Sequence, residues 1–447
     1  MDQATERLLK NRLRKAAAAL GRGVPPRDIR KQARLLAQHA SEKLDEIWYP
    51  GAEAGGPIDV IDMFSGCGGM SAGFRAANEL LPAFRNAMAV DIDPVANATY
   101  EANFGLRPET VDITCLAQRP SATKKLVQAA RQSSCSPLVL IGCAPCQGFS
   151  SHRNKLGSQD ERNSLFISFA RVAATIQPDV IVCENVPELL SAGYWPYLER
   201  AKSILEASGY VVRIDIHNLA EFGVPQQRFR AVIVAAKKRF ALPQGFLATG
   251  SFRTVRDTIG ALPPLNAGQR DPNDRMHYTV NHKSSTIETI RRVPKNGGRL
   301  PEGAGPACLW RAKARNGRAV YEDVYGRLWW DRPAITMTAY SRNPASGRYV
   351  HPEQNRGLSV REAALLQGFP ASFQFSGSLD AQFRQIGNAV PPRFSAFLAL
   401  HLLGELLADG QSDDQHGIVA PVGASFARLI PAIKAGHRQI GQPIGTF

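Results

Sequence analysis

The sequence predicts an α/β fold: a doubly wound, mostly parallel sheet with a smaller basic domain and a helical N-terminal extension. Three observations predict it. Between residues 58 and 238, short β-rich apolar runs alternate with helical periodicity. Such runs suit strands buried on both faces, and their alternation with helices implies parallel crossovers. From about residue 240 to 330 that rhythm gives way to Gly, Pro, Arg and Asn. Finally, the formal charge is +15, with a pI of about 9.7, and residues 236–330 carry 17 Lys+Arg against 7 Asp+Glu. Most of the excess therefore lies in one stretch, as a polyanion-binding face would concentrate it.

Residues 1–56 form the extension. Leu8, Leu9, Leu13 and Leu20 suit one helix; Ile29, Ala33, Leu36, Ala40, Leu44 and Ile47 suit a second, opened by Pro25, Pro26 and Asp28. It is basic, and reads as a packing arm no less than as a DNA contact. Residues 57–238 form the main domain. Strands are expected over 59–64, 87–91, 138–142, 179–184, 211–216 and 231–235, with helices such as 94–104, 163–176 and 195–208 between them. Residues 239–330 read as a small domain of short strands and loops. Residues 331–408 return to the main domain, with helices over 359–367 and 391–407. Residues 409–447 form a tail, polar and then weakly apolar.

The seven cysteines are irregularly spaced, which disfavours a disulfide framework. Cys143 and Cys146 form a lone C-x-x-C without the second ligand pair that zinc needs, so no metal is expected. No apolar run reaches membrane-spanning length and the first residues are polar and basic, which points to a cytoplasmic protein.

Candidate sites cluster at strand ends, where ligands gather in such sheets. The first strand leads into Asp62-Met63-Phe64-Ser65-Gly66-Cys67-Gly68-Gly69. Glycines there let a ligand approach the backbone, and the next helix offers a positive N-terminus. A purely structural tight turn is the competing reading. Asp91, ending the second strand, is placed to accept from ribose hydroxyls, while Asp93 before Pro94 reads as a helix cap. Asp112 is expected near the end of a third strand; a solvated turn acid explains it equally well.

The next crossing ends in Cys143-Ala144-Pro145-Cys146-Gln147-Gly148-Phe149-Ser150. Cys146, behind a proline that restricts the chain, can present a nucleophile, provided cations or substrate raise its thiolate fraction. A buried structural cysteine is the alternative. Residues 151–159 suit a closing loop. Val182-Cys183-Glu184-Asn185-Val186 delivers a half-buried carboxyl, which suits proton donation. Gln226, Arg228 and Arg230 alternate on entry to a strand, which aims all three at one face.

Together these segments resemble the cytosine-5 DNA methyltransferase family. The match runs in order from Asp59 to about Leu403: residues 62–69, Pro145-Cys146-Gln147, Glu184-Asn185-Val186, Gln226-x-Arg228-x-Arg230, Arg332-Pro333-Ala334-Ile335-Thr336 and Gln385-Ile386-Gly387-Asn388-Ala389-Val390-Pro391-Pro392. The resemblance implies a class I, Rossmann-like methyltransferase fold and S-adenosylmethionine as methyl donor. Asp62, Phe64, Ser65, Gly66, Gly68, Gly69, Asp91, Ile92, Asp112, Pro145, Leu165, Asn388 and Val390 would form its site. It further implies Cys146 as nucleophile, Glu184 as the residue that holds cytosine, and Arg228 and Arg230 as catalytic supports. Gln147, Phe149, Ser150 and Gln226 would serve the loop or DNA. Double-stranded DNA is the implied partner, bound by a monomer, with a companion restriction endonuclease in some relatives. A tRNA cytosine-5 methyltransferase and a silent DNA-binding regulator are the rival readings; the basic insert and the intact motifs favour the DNA enzyme.

Overall fold

The computed structural model describes residues 1–21, 28–51, 55–145, 164–310, 323–410, 412 and 417–418. Two compact units emerge. The first combines Met1–Asn218, Phe229–Phe246 and Pro392–Phe447; the second combines Leu219–Arg228 and Leu247–Pro391.

The first unit is organised around strands β1 (Ile58–Met63), β2 (Phe84–Val90), β3 (Leu138–Gly142), β4 (Val180–Asn185), β5 (Val211–Asn218) and β7 (Phe229–Ala236). Their order in the sheet is β2-β1-β3-β4-β7-β5. Pairings are parallel from β2 through β4, and β7 runs antiparallel between β4 and β5. One face stacks Ile61, Met63, Leu138, Leu140, Ile181 and Cys183 under Phe166, Phe169 and Val172 of helix Ser164–Ile176 and Leu198 and Leu205 of helix Trp195–Ala207. The alternate residues Val60, Val139, Ile141 and Val182 are equally buried and point to the opposite face. This double burial is why the strands read as continuous apolar runs.

Helices Gly69–Leu80, Pro392–Leu407 and Ile29–Glu42 pack together. Glycine sets the approach: a Cβ on Gly73 would lie 2.3 Å from the Ala396 nitrogen, and one on Gly404 2.4 Å from the Ala33 Cβ. The extension thus packs on the first unit's own helices. Helix Gln3–Ala19 buries Leu9 and Leu13, but Leu8, expected in the same stripe, is 43% exposed. Asp28 caps the second helix by accepting from the Lys31 N–H. Arg30 pairs with Glu405, and Arg393 donates to the Ser41 carbonyl. Within the described part of the tail, the Ile418 N–H donates to the Ile214 carbonyl.

The second unit extends to Pro391, beyond the boundary after residue 330 drawn from sequence. That boundary cuts a hydrophobic cluster: Trp330 packs with Ala334, Met337, Tyr349, Leu358 and Leu366. The short strands expected over 239–330 also require correction. Among the described residues, the unit's only ladder is β6 (Gln226–Gln227) with β8 (Ala334–Ile335), supplemented by isolated bridges. Helix Val360–Gln367 falls where the sequence predicts it, and it begins at a capping box on Ser359. Helix Leu379–Asn388, which contains much of the last family-like motif, was not foreseen.

Irregular backbone needs donors for its carbonyls, and buried arginines supply them. Arg327, Arg348, Arg356 and Arg361 are among the largest fully buried side chains. Arg327 donates to the carbonyls of Ile290, Val293, His351 and Gln354. Arg356 forks onto both Glu362 oxygens at 2.7 and 2.8 Å and donates to the carbonyls of Leu265 and Gly357.

Candidate active site

In the first unit, the sheet order brings the carboxyl ends of β2, β1, β3 and β4 side by side. At the end of β1 the chain turns sharply: Phe64, Gly66 and Gly68 have φ of 60°, 52° and 90°. A left-handed conformation is unusual for phenylalanine and marks a constrained turn. Gly68 caps helix Gly69–Leu80; a Cβ there would lie 2.3 Å from the Phe104 ring. A Cβ on Gly66 would meet nothing within 4 Å.

Asp91 closes the turn from the adjacent strand. One carboxylate oxygen accepts from the Gly66 N–H and the other from the Asp93 N–H, both at 2.8 Å. Burial raises its pKa above the usual carboxylate range. Asp93 caps helix Pro94–Phe104, as expected. Ile92 beside it is 65% exposed, an apolar side chain left on the surface. The Ser65 hydroxyl is buried without a hydrogen-bond partner, as a ligand-facing donor would be. Asp62 lies beneath the turn. It accepts from the Ser71 hydroxyl at 2.7 Å, which accepts from the Tyr100 hydroxyl at 2.9 Å, and burial pushes its pKa up to about 7. Asp62 therefore supports the turn from within.

Asp112 follows no third strand, contrary to expectation. Only an isolated bridge joins Glu109 to Val90; Asp112 caps helix Ile113–Gln118, accepting from the Thr114 N–H. Leu165 is partly buried against the same-face core and Pro145 is half-buried.

Glu184 is 2% exposed near the end of β4. Arg230 on β7 reaches one carboxylate oxygen at 2.9 Å, and the Cys143 thiol donates to the other at 3.1 Å. The sequence argued from burial alone; the structure adds this cation and this thiol. The neighbouring Asn185 amide donates to the Ala144 carbonyl and its oxygen accepts from the Val186 N–H, tying the ends of β3 and β4 together. Cys143 was read only as half of a C-x-x-C. The parallel register, Gly142 opposite Cys183, makes Cys143 and Glu184 the next pair, but strand order cannot be read from spacing. His217, buried on β5 opposite Arg230, also escaped the sequence reading.

Gln226, Arg228 and Arg230 do not share one face. In the second unit, Gln226 is fully buried. Its amide donates to the Leu366 carbonyl and Gln367, and its oxygen accepts from the Met337 N–H. That makes it an internal tie rather than a DNA-facing group. Arg228, 2% exposed, donates to the carbonyls of Met337, Gly387 and Ala389. It holds the segment bearing Asn388, which is exposed, and Val390, which is buried. Arg230 alone turns to Glu184. The alternation holds for Gln226 and Arg228, which both bond Met337, and ends at Arg230 because the chain leaves the β6–β8 ladder at Arg228 before β7 begins. Cys146, Gln147, Phe149 and Ser150 lie outside the described residues.

A mostly parallel α/β sheet with a glycine turn after β1, an acid after β2 and a carboxylate near the end of β4 is the architecture of the Rossmann-like methyltransferase class. The sequence model for the C-5 cytosine-specific DNA methylase family matches residues 58–403. The chain belongs to that family and is a DNA cytosine-5 methyltransferase. It is 34% identical over 348 residues to the Type II methylase M.HgiDII of Herpetosiphon aurantiacus, covering 76% of this chain and 93% of that protein. It is 35% identical over 353 residues to the Type II methyltransferase M1.HphI of Haemophilus parahaemolyticus, covering 76% and 86%. Among solved structures, the S. pombe Dnmt2 methyltransferase shares the fold with a TM-score of 0.51 at 20% identity, covering 78% of this chain and 99% of that one. No helix among the described residues is long and apolar enough to cross a membrane.

Proposed function

We propose that this methyltransferase uses S-adenosylmethionine to methylate C5 of a flipped-out cytosine in a specific duplex DNA sequence, through a covalent bond from Cys146 to C6. The observation that carries this reading is the row of adjacent strand ends: Asp91 at β2, Ser65 and Gly66 at β1, Cys143 and Pro145 at β3, and Glu184 at β4. The donor's size and polarity fit the first part of that row. Ser65 offers a buried hydroxyl with no partner, Gly66 an open backbone, Asp91 a carboxylate with lone pairs to spare, and Ile92 an exposed apolar surface. When bound, S-adenosylmethionine supplies an electrophilic methyl group on a sulfonium.

The remaining chemistry falls to the chain. Cytosine C5 is a poor nucleophile. A thiolate adding to C6 turns C5 into an enamine-like carbon. Glu184, fixed by Arg230 and Cys143, holds N3 and the exocyclic amine and stabilises the charge that develops there. C5 takes the methyl group, a base removes the C5 proton, and the thiolate leaves C6. The ring's faces are covered in a duplex, so the base must leave the stack. The second unit, with exposed cations such as Arg291, Arg292 and Lys295, is assigned to phosphate and groove contacts. A monomer acts alone on DNA, and the Type II names of the relatives favour a companion restriction endonuclease. A duplex containing 5-fluorocytosine tests the mechanism, because fluorine blocks the final elimination. The expected result is a stable adduct mapped to Cys146 by peptide mass, absent from Cys146→Ala. An adduct on Cys143 or Cys183 would overturn the assignment.

A further inference from the structure

The family match begins at residue 58, yet the segment just before it is built into the support of the glycine turn. Trp48 is 3% exposed and meets Phe104 edge-on, with centroids 5.6 Å apart. Phe104 lies 4.3 Å from the Tyr100 ring. Both rings back directly onto Gly68, leaving no room even for a Cβ. Tyr100 in turn donates to Ser71, and Ser71 to Asp62 beneath the turn. Trp48 is itself pinned. The Arg75 guanidinium lies over its ring at 5.4 Å and also donates to the Gly51 carbonyl, while the Gly51 N–H donates to the Asn103 carbonyl at 2.8 Å.

We propose that Trp48 is a positioning residue for the methyl-donor pocket: through Phe104 it fixes the backbone at Gly68 and so sets the affinity for S-adenosylmethionine. The claim rests on the reading of residues 64–69 as the donor turn. The physics is that of a close-packed interior. A gap behind Phe104 is filled by ring movement, and movement of that ring shifts the nearer of the two ring surfaces against which Gly68 is seated. Because the turn binds the donor with its backbone, a small displacement changes donor binding without touching the groups that face cytosine.

The test compares wild type, Trp48→Ala, Trp48→Phe and Leu13→Ala. Donor binding is followed by calorimetry, and initial rates are measured against donor and against duplex DNA. Trp48→Ala is expected to raise the KM for S-adenosylmethionine about fivefold, leaving kcat and the KM for DNA nearly unchanged. Trp48→Phe, which keeps a ring edge against Phe104, is expected to restore most of the difference. Leu13→Ala removes buried apolar volume from the same extension without touching the relay, and is expected to leave the donor KM at the wild-type value. If Trp48→Ala does not fold, Trp48→Leu carries the same expectation. An unchanged donor KM in Trp48→Ala or Trp48→Leu, or an equal rise in Leu13→Ala, overturns the proposal. Failure of the wild-type protein to bind S-adenosylmethionine would instead remove the reading of the turn on which it rests.

Discussion

The two units are held together by different chemistry. The first has a core of strands and helices whose backbone groups satisfy one another, so its interior is filled with Ile, Val, Leu and Phe. The second has little regular structure, and its unpaired carbonyls are gathered by guanidinium groups driven fully inside. The same residue type therefore means different things in sequence and in structure. Arg327 is one of the basic residues that made the stretch before Trp330 look like an anion-binding surface, but it is an internal cross-brace. An arginine has five donors and fixed planarity, so it can replace a missing strand where a lysine could not.

Breaking an internal brace should have the largest effect. In Arg356→Leu, Glu362 stays buried without its cation, and a loss of about 3–5 kcal/mol is expected in urea unfolding. The double variant Arg356→Leu with Glu362→Leu should recover most of it. If the single variant proved as stable as wild type, the braces would be ornaments and the contrast between the units would be wrong.

The buried carboxyls Glu362 and Asp62 should also answer pH in opposite senses. Burial alone would raise the Glu362 carboxyl, but Arg356 overrides it and holds it down to about 2. Such a group stabilises above its unfolded value, near 4.5, and loses that contribution as pH falls through 2. His351, pushed down to about 4 chiefly by burial, acts the same way: the unfolded imidazole takes up a proton first as pH falls below about 6.5. Asp62 does the reverse. Its carboxyl is raised to about 7 by burial, so its contribution is complete below about 4 and declines as pH rises through 7. Asp62→Asn should therefore gain stability relative to wild type between pH 5 and 7, by at most about 1.4 kcal/mol per pH unit. A pH-independent difference between the two proteins would sink that account.

The smallest expected effect separates internal from external cations. Arg292 is largely exposed, with a Glu288 carboxylate oxygen 3.8 Å away. Arg292→Ala should leave stability within about 0.5 kcal/mol, but lower the salt slope of DNA binding by about 0.9 if it meets a phosphate. Arg327→Leu should show the opposite pattern.

This division also explains what could be read from the sequence. The strands were legible because burial on both faces leaves unbroken apolar runs, and Asp62, Asp91 and Glu184 stood out because they lie near strand ends, where ligands gather in such sheets. The partner of Glu184 was not, because β7 enters the sheet between β4 and β5, and no periodicity reports strand order. Most of the second unit was illegible for a different reason: a buried arginine and a DNA-facing one look the same in a charge count. Helix Leu379–Asn388 was missed because Ala381, Phe383 and Ile386 make only a thin apolar stripe.

The packing of helix Ile29–Glu42 against Pro392–Leu407 has a consequence for biosynthesis. Its partner is made about 350 residues later, and at about 5–20 residues per second the wait is roughly 20–70 seconds. Throughout that interval Ala33, Leu36 and Ala40 have no finished surface to rest on, so a nascent chain of this protein is a natural client for a chaperone that shelters amphipathic helices.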